Sequence, residues 1–339
     1  MARCFSLTAS RDRFYRYTYA QSGLRSISTD LGDGGTVMHC WVPKAHRPSK
    51  PTLILLHGFG ANAMWQWSDL LRPFASRCNL YIPDLLFFGD SYTSLPDRSE
   101  AFQARCVMRL LEARGVAGRL TLVGLSYGGF VGYSAAAQFP DRVERVVICS
   151  AGVCLEEKDL KEGLFPVADL DEAASILLPQ TPEKLRMLVR LSFVKPARTM
   201  PSCFLRDFID KRELLQAIIR DRKLSELPKI TQPTLIIWGD QDQIFPLELA
   251  HRLKSHLGEN AQLVVIRNAG HAANMEKAKE FYRHLKAFLI DSLPLPSSPL
   301  NQNKTRAGII TVKEYDQHIR ADAAGKHRGG GVSTSEAET

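Results

Sequence analysis

The stretch Gly124-Leu125-Ser126-Tyr127-Gly128 constrains this chain more than any other. The apolar run Leu120-Thr121-Leu122-Val123 precedes it, and the small-residue run Gly129 to Ala137 follows it. The pattern predicts a strand, a tight corner and a helix. A serine at such a corner is forced into a strained backbone conformation that lifts its hydroxyl above the sheet. Only glycine-sized residues two places away on either side leave room for the turn.

The 339 residues, 45% apolar and 24% charged, can bury a large core, either one big α/β domain with an insertion or two smaller domains. Leu53-Ile54-Leu55-Leu56 is too short to cross a bilayer and reads as a buried strand. Arg3, Arg11, Arg13 and Arg16 interrupt the N-terminus, which therefore lacks an apolar signal region. Rich in arginine and poor in acids, it resembles an organelle transit peptide, which gives a chloroplast location as the alternative to a cytoplasmic one. The seven cysteines (Cys4, Cys40, Cys78, Cys106, Cys149, Cys154 and Cys203) show no paired spacing, and several sit inside apolar runs. They are expected to be reduced core thiols of a cytosolic-type compartment. No metal site and no cofactor motif is read. The net charge of +8 does not indicate nucleic acid: residues 1–25 carry five arginines against one acid, but the rest is mixed. No basic helix with interleaved aromatics is read from the sequence.

Along the chain, residues 1–23 form a basic segment and residues 24–43 read as a hairpin turning through Asp30 to Gly35. Strands are expected at 52–56, 79–82, 120–123 and 143–149, alternating with helices at 65–77, 98–115 and 129–138. The rhythm changes after Cys149. Residues 154–228 offer no convincing strand, and Phe204, Phe208, Leu215, Ile218 and Ile219 share a helical face. This stretch, acid-rich before residue 184 and rich in Lys and Arg after it, reads as an inserted helical cap. Alternation then resumes with strands at 234–238 and 263–266 and helices at 247–257 and 278–289. The expected organisation is a core of 24–153 and 229–291, a mostly parallel sheet covered on both faces, with the cap at 154–228. The Pro-, Ser- and Gly-containing stretch 292–339 is expected to be a tail without a packable core.

The chemistry assembles from three further stretches. The first parallel strand ends in His57-Gly58-Phe59-Gly60, where glycines let the loop fold back and aim a backbone N–H at the serine. The N–H groups of Phe59 and Tyr127 are the expected pair of donors for a developing oxyanion. A serine hydroxyl needs a base, and histidine suits that role near neutral pH. His271, in Asn268-Ala269-Gly270-His271-Ala272-Ala273, follows the last strand on a small-residue loop. His57 reads as a structural hydrogen-bonding residue, and His251 and His256 as solvated positions on a charged helix. A carboxylate must hold the imidazole tautomer. Asp240 and Asp242, in Gly239-Asp240-Gln241-Asp242-Gln243, could each serve. Asp242, deeper in the loop, is favoured, leaving Asp240 to bond its own turn.

On these motifs the chain resembles the α/β-hydrolases over roughly residues 24–290, and the chain order serine, aspartate, histidine is that fold's order. Within the superfamily it is similar to plant hydrolases grouped near the monoacylglycerol lipases and to the meta-cleavage carbon–carbon hydrolases. Asp84 to Ser91 matches a family loop usually written Asp-x-x-Gly-x-Gly-x-Ser, with Phe87 where the first glycine belongs; Asp84 is expected to be structural. After His271 the family often has Glu-x-Pro, and here Glu276-Lys277-Ala278 stands in its place. That change is expected to affect the start of the last helix only.

The resemblance implies an acyl-enzyme on Ser126, whereas an epoxide hydrolase or haloalkane dehalogenase would need an aspartate at the elbow. Met64, Trp65 and Phe245, with Phe193, Phe204 and Phe208 of the cap, are expected to shape an apolar pocket for a small lipophilic ester such as a monoacylglycerol. The cap's basic half and the N-terminal arginines suit peripheral contact with an anionic membrane face. Two alternatives use the same residues. One is a slowly hydrolysing ligand receptor of the strigolactone or karrikin type. The other is a carbon–carbon hydrolase or hydroxynitrile lyase.

Overall fold

The computed structural model describes residues 7–60, 62–167, 169–177, 182–194 and 212–291. The expected tail at 292–339, Phe204, Phe208, Cys4 and Cys203 lie outside these residues.

Nine strands form one sheet: β1 (Leu24–Asp30), β2 (Thr36–Pro43), β3 (Thr52–Leu56), β4 (Asn79–Pro83), β5 (Tyr92–Thr93), β6 (Leu120–Leu125), β7 (Val143–Cys149), β8 (Thr234–Gly239) and β9 (Ala261–Ile266). Their order is β1-β2-β4-β3-β6-β7-β8-β9, with β5 paired to β2. The β1–β2 hairpin and the β2–β4 pair are antiparallel, and every pair from β4 to β9 is parallel. The helices are α1 (Leu7–Gln21), α2 (Ala63–Trp67), α3 (Leu71–Ala75), α4 (Glu100–Ala113), α5 (Tyr127–Gln138), α6 (Lys158–Lys161), α7 (Leu170–Leu177), α8 (Pro182–Ser192), α9 (Arg212–Ile219), α10 (Leu247–Leu257), α11 (Ala273–Glu276) and α12 (Ala278–Lys286).

The parallel strands are apolar at nearly every position because both faces are covered, and successive side chains divide between two cores. Ile54, Leu56, Leu122 and Ile148 join one core, with residues of α4, α5, α7, α9 and α10. Leu53, Leu55, Val123 and Val147 join the other, with Tyr19, Trp67, Phe74, Phe281 and Leu285. Each fully buried aliphatic side chain contributes about 2 kcal/mol. Cys40, Cys78, Cys106, Cys149 and Cys154 are free and buried within these layers. Burial pushes the Cys78 and Cys106 thiols up to about 11, so they stay protonated.

Several details differ from the sequence reading. The helix expected over 65–77 is broken into α2, a 3-10 turn at Ser68–Leu70, and α3. Pro73 has no N–H and its ring crowds the carbonyl four residues earlier, so one continuous helix cannot pass. The last helix ends at Lys286 and gives way to a wide π-type turn, Ala287–Asp291. The basic N-terminal segment contains α1, a helix with Arg11, Arg13 and Arg16 interleaved with Phe14, Tyr15, Tyr17 and Tyr19, a pattern the sequence reading did not recognise. Its anchor is Tyr19, fully buried, whose hydroxyl donates to the Ala63 carbonyl at 2.6 Å. No helix among the described residues is long and apolar enough to cross a membrane.

The topology fixes where a ligand can sit. From β3 the chain steps to β4 on one side, then crosses over through α4 to β6 on the other side of β3. The loops leaving the carboxyl ends of β3 and β6 therefore diverge and leave a crevice between them, the usual ligand position in such sheets.

Candidate active site

Ser126 occupies the corner between β6 and α5 with φ 51° and ψ −120°, in the left-handed region that side chains avoid. Such strain costs about 1–3 kcal/mol and persists only where neighbours enforce it. Here the Ser126 N–H donates to the Cys149 carbonyl at 2.8 Å, and the Ser126 carbonyl accepts from Gly129 N–H at 2.8 Å. The flanking glycines are required by contact. A Cβ on Gly124 would collide with the Gly128 carbonyl and lie 2.7 Å from Gly129 Cα. One on Gly128 would strike the Leu56 carbonyl and lie 2.6 Å from the His57 carbonyl oxygen.

Across the crevice, the loop after β3 passes directly over the corner: a Cβ on Gly58 would be 3.2 Å from Ser126 Cβ. The Gly58 N–H donates to Gln66 Oε1, which holds the loop from α2. His57 is fully buried; its Nδ1 lies 2.8 Å from the Gly58 carbonyl oxygen and its Nε2 accepts from Leu85 N–H at 2.9 Å. Tyr127 is the first residue of α5, so its N–H has no acceptor within the helix. Among the described residues the Phe59 N–H meets no acceptor. The Phe59 and Tyr127 rings meet edge-on at 5.8 Å.

The loops after β8 and β9 bring in the other two groups. His271 Nε2 lies 3.0 Å from Ser126 Oγ, and its Nδ1 lies 2.9 Å from Asp242 Oδ2. The Asp242 side chain is fully buried, and its Oδ1 accepts from the N–H groups of Ile244 and Phe245 at 2.9 Å each. Those two bonds aim the second oxygen at the imidazole. Of the two aspartates the sequence left open, Asp242 is the one that reaches His271. Asp240 bonds the neighbouring loop and not its own: its Oδ1 accepts from Ala269 N–H at 3.3 Å, because β8 and β9 are paired and their exits lie side by side. An imidazole between a hydroxyl and a buried carboxylate can take the hydroxyl proton while its new charge is stabilised.

A second buried carboxylate braces this edge. Asp84 accepts from Ala63 N–H at 2.8 Å and Asp90 N–H at 3.2 Å, and its Oδ2 lies 2.8 Å from His39 Nδ1. Burial alone would raise its pKa, but these bonds and the nearby His57 outweigh it and hold the carboxyl below the ordinary carboxylate range. Phe87, in place of a glycine, has φ 73°, and the Arg98 guanidinium lies over its ring at 4.2 Å. Among the described residues His39, Asp84 and Asp90 are the one group with ligating atoms close enough for a metal. Their atoms are already engaged: His39 Nε2 lies 2.7 Å from Ser26 Oγ, and Asp90 pairs with Arg16 at 3.5 Å.

Behind Phe245 an apolar pocket, partly open to solvent, lies under α6, α7 and α9. Leu155, Phe165, Ile176, Ile218 and Phe245 are among its walls, and Gln243 is the polar side chain among the described residues that line it. Phe245 lines this pocket, and its ring centroid lies 5.7 Å from that of His271. Met64 and Trp65, expected beside it, are elsewhere. Met64 is buried in the opposite core, and Trp65 Nε1 donates to Asp12 Oδ1 of α1 at 2.6 Å. Their position follows from α2, which turns away from the crevice to pack on α1. Gln66 and Glu276 also belong to the site although no motif marks Gln66; the one sequence signal for Glu276 is its place five residues after His271.

Comparison with known proteins places the chain in a lineage. A monoacylglycerol lipase of Xenopus laevis is 28% identical over 273 residues, covering 75% of this chain and 80% of that protein. Lipase 1 of Psychrobacter immobilis is 29% identical over 293 residues, covering 81% and 87%. The lip1 protein of Acinetobacter baumannii AYE shares the fold with a TM-score of 0.72 at 23% identity, over 86% of this chain and 98% of that chain. The family model described as "Alpha/beta hydrolase family" matches residues 53–284, from β3 into α12. The chain belongs to the alpha/beta hydrolase family.

Proposed function

We propose that this protein is a serine hydrolase that cleaves carboxylic esters of lipophilic acyl groups through an acyl-enzyme on Ser126. The observation that carries this reading is the continuous relay from Asp242 through His271 to Ser126, with bonds of 2.9 and 3.0 Å, at the mouth of the β3–β6 crevice. Two similar proteins are named as lipases, one of them as a monoacylglycerol lipase.

In this mechanism Ser126 Oγ attacks the ester carbonyl carbon as its proton passes to His271 Nε2. The carbonyl oxygen gains the electron pair and is met by the N–H groups of Phe59 and Tyr127. Asp242 supports the imidazolium through Nδ1–H. The tetrahedral centre collapses, the carbon–oxygen bond to the alcohol breaks, and His271 returns the proton to the departing oxygen. A water then gives its proton to His271 and attacks the acyl-enzyme, releasing the acid and restoring Ser126. The acyl chain runs past Phe245 into the cavity roofed by the cap. That wall offers no charged side chain among the described residues, which favours an acyl chain over a charged metabolite.

A membrane surface is the proposed source of such a substrate. Phe14 and Tyr17, 64% and 63% exposed, stand one turn apart on α1 beside Arg13 and Arg16. Flotation with anionic vesicles, compared with neutral ones, tests that contact.

The central test is fluorophosphonate labelling of wild-type and Ser126→Ala protein, followed by p-nitrophenyl esters of rising chain length. Labelling is expected to vanish in the variant, with hydrolysis reduced by roughly 10⁴-fold or more. Labelling that survives the substitution overturns the assignment.

A further inference from the structure

The loop that carries His271 is fastened on both flanks to the end of α8. On one side, Ala272 N–H donates to the Ser192 carbonyl at 3.0 Å. Ser192 closes α8, so its carbonyl has no donor within that helix and finds one in the loop. On the other side, the Gly270 N–H donates to Glu276 Oε2 at 2.7 Å. The second oxygen of the same carboxylate, Oε1, accepts from Val194 N–H at 2.9 Å, just beyond α8. The approach is close enough to require glycine: a Cβ on Gly270 would lie 2.8 Å from the Ser192 carbonyl oxygen and 3.3 Å from Glu276 Oε2. The two residues that flank His271 in the chain are thus tied to one point on a helix that lies between β7 and β8, far from β9 in sequence.

We propose that Glu276 is a positioning residue that couples the seating of the α8 end to the placement of the His271 imidazole. The inference rests on the reading of His271 as the base. A carboxylate suits the task because it presents two acceptor oxygens and no donor, which matches two facing N–H groups. Glutamine offers one acceptor, and its NH2 would face an N–H. With one arm lost, the Ala272 N–H bond to Ser192 holds the loop on one flank only, and His271 drifts from the 3.0 Å approach to Ser126 Oγ. Misplacement of a catalytic group by about 1 Å costs on the order of 10²-fold in rate.

The test compares wild type with Glu276→Gln, Glu276→Asp and Gly270→Ala on a soluble short-chain ester. Rates are taken per serine titrated by fluorophosphonate, so that misfolded protein is not counted. Glu276→Gln and Gly270→Ala are expected to lower kcat about 10- to 100-fold with KM nearly unchanged. Glu276→Asp, which keeps both acceptors, recovers part of the loss. The downfield proton resonance of His271 Nδ1–H should shift or broaden in Glu276→Gln, a change that a merely stabilising side chain would not produce. In the wild-type protein the amides of Val194, Gly270 and Ala272 should exchange with solvent at a common opening rate, which needs no variant to fold. The proposal is overturned if kcat per titrated serine in Glu276→Gln stays within about two-fold of wild type. It is also overturned if Val194 exchanges freely while Gly270 and Ala272 stay protected. Its failure is separable from that of the hydrolase reading: activity in Ser126→Ala would remove the latter, and the exchange result would still decide the tether.

Discussion

Around Ser126, His271 and Asp242 the loops are fixed by directed hydrogen bonds, whose donors include the backbone N–H groups of Ile244, Phe245, Ala269 and Gly270. Helices α6–α9 meet over apolar side chains, with Leu160, Ile176, Leu214 and Ile218 buried. A few ion pairs fasten them to the rest, such as Arg222–Glu100 at 2.6 Å and Arg252–Asp159 at 2.7 Å. The difference separates two kinds of specification. The sheet-edge loops fix atoms to within a fraction of an ångström, because a hydrogen bond is lost by small displacements. The helices fix a volume and a polarity, which many apolar sequences could supply. In the proposed mechanism the first region would set the reaction type and the second the substrate shape.

The largest effect should come from Asp242→Asn. It keeps the shape of the loop but disturbs the imidazole tautomer, and kcat/KM is expected to fall by about 10⁴-fold. Chain-length preference, measured on residual activity with an ester series, should survive. A changed preference would mean that the two regions are not separable in this way.

Asp84→Asn should act on the framework. Removing the charge from a buried, multiply bonded carboxylate is expected to cost about 3 kcal/mol of stability, read by urea unfolding. The pH dependence follows from the depressed pKa of Asp84 in the folded chain. Its stabilisation is fully present above the unfolded value of about 4 and is lost as pH falls through the lower folded value. Wild-type midpoints should therefore drop in acid more steeply than those of the variant. Parallel curves would show that Asp84 contributes nothing through its charge.

The smallest effect should come from Ile218→Trp, which adds bulk to the cavity wall. Preference for long over short acyl chains is expected to fall about ten-fold, with short-chain kcat unchanged. Equal loss on every ester would mean that the cavity does not receive the acyl chain.

The legible parts of the molecule were those where geometry restricts residue type. A corner that collides with any Cβ at Gly124 and Gly128 must be written in glycine, so Ser126 could be read directly. The β1–β2 hairpin, the parallel strands and α10 followed from the sequence pattern, with α10 found over Leu247–Leu257 as expected. The helix α1 was not legible, because its docking depends on Tyr19 reaching the Ala63 carbonyl, a contact between segments 44 residues apart. Trp65 was misplaced for the same reason: neighbours in sequence suggested the crevice, but Asp12 draws it to α1. Glu276 was underread because its partners, Gly270 and Val194, lie on separate parts of the chain.

His271, the proposed proton acceptor for Ser126, lies 145 residues further along the chain, on the loop after β9, the last strand among the described residues. A growing polypeptide that has already folded β3, β6 and β7 carries the strained serine but nothing to activate it. Nascent chains should therefore remain chemically silent on the ribosome until β9 has emerged and paired with β8. A truncated product ending before residue 271 would be inert toward cellular lipids even if most of its core were formed.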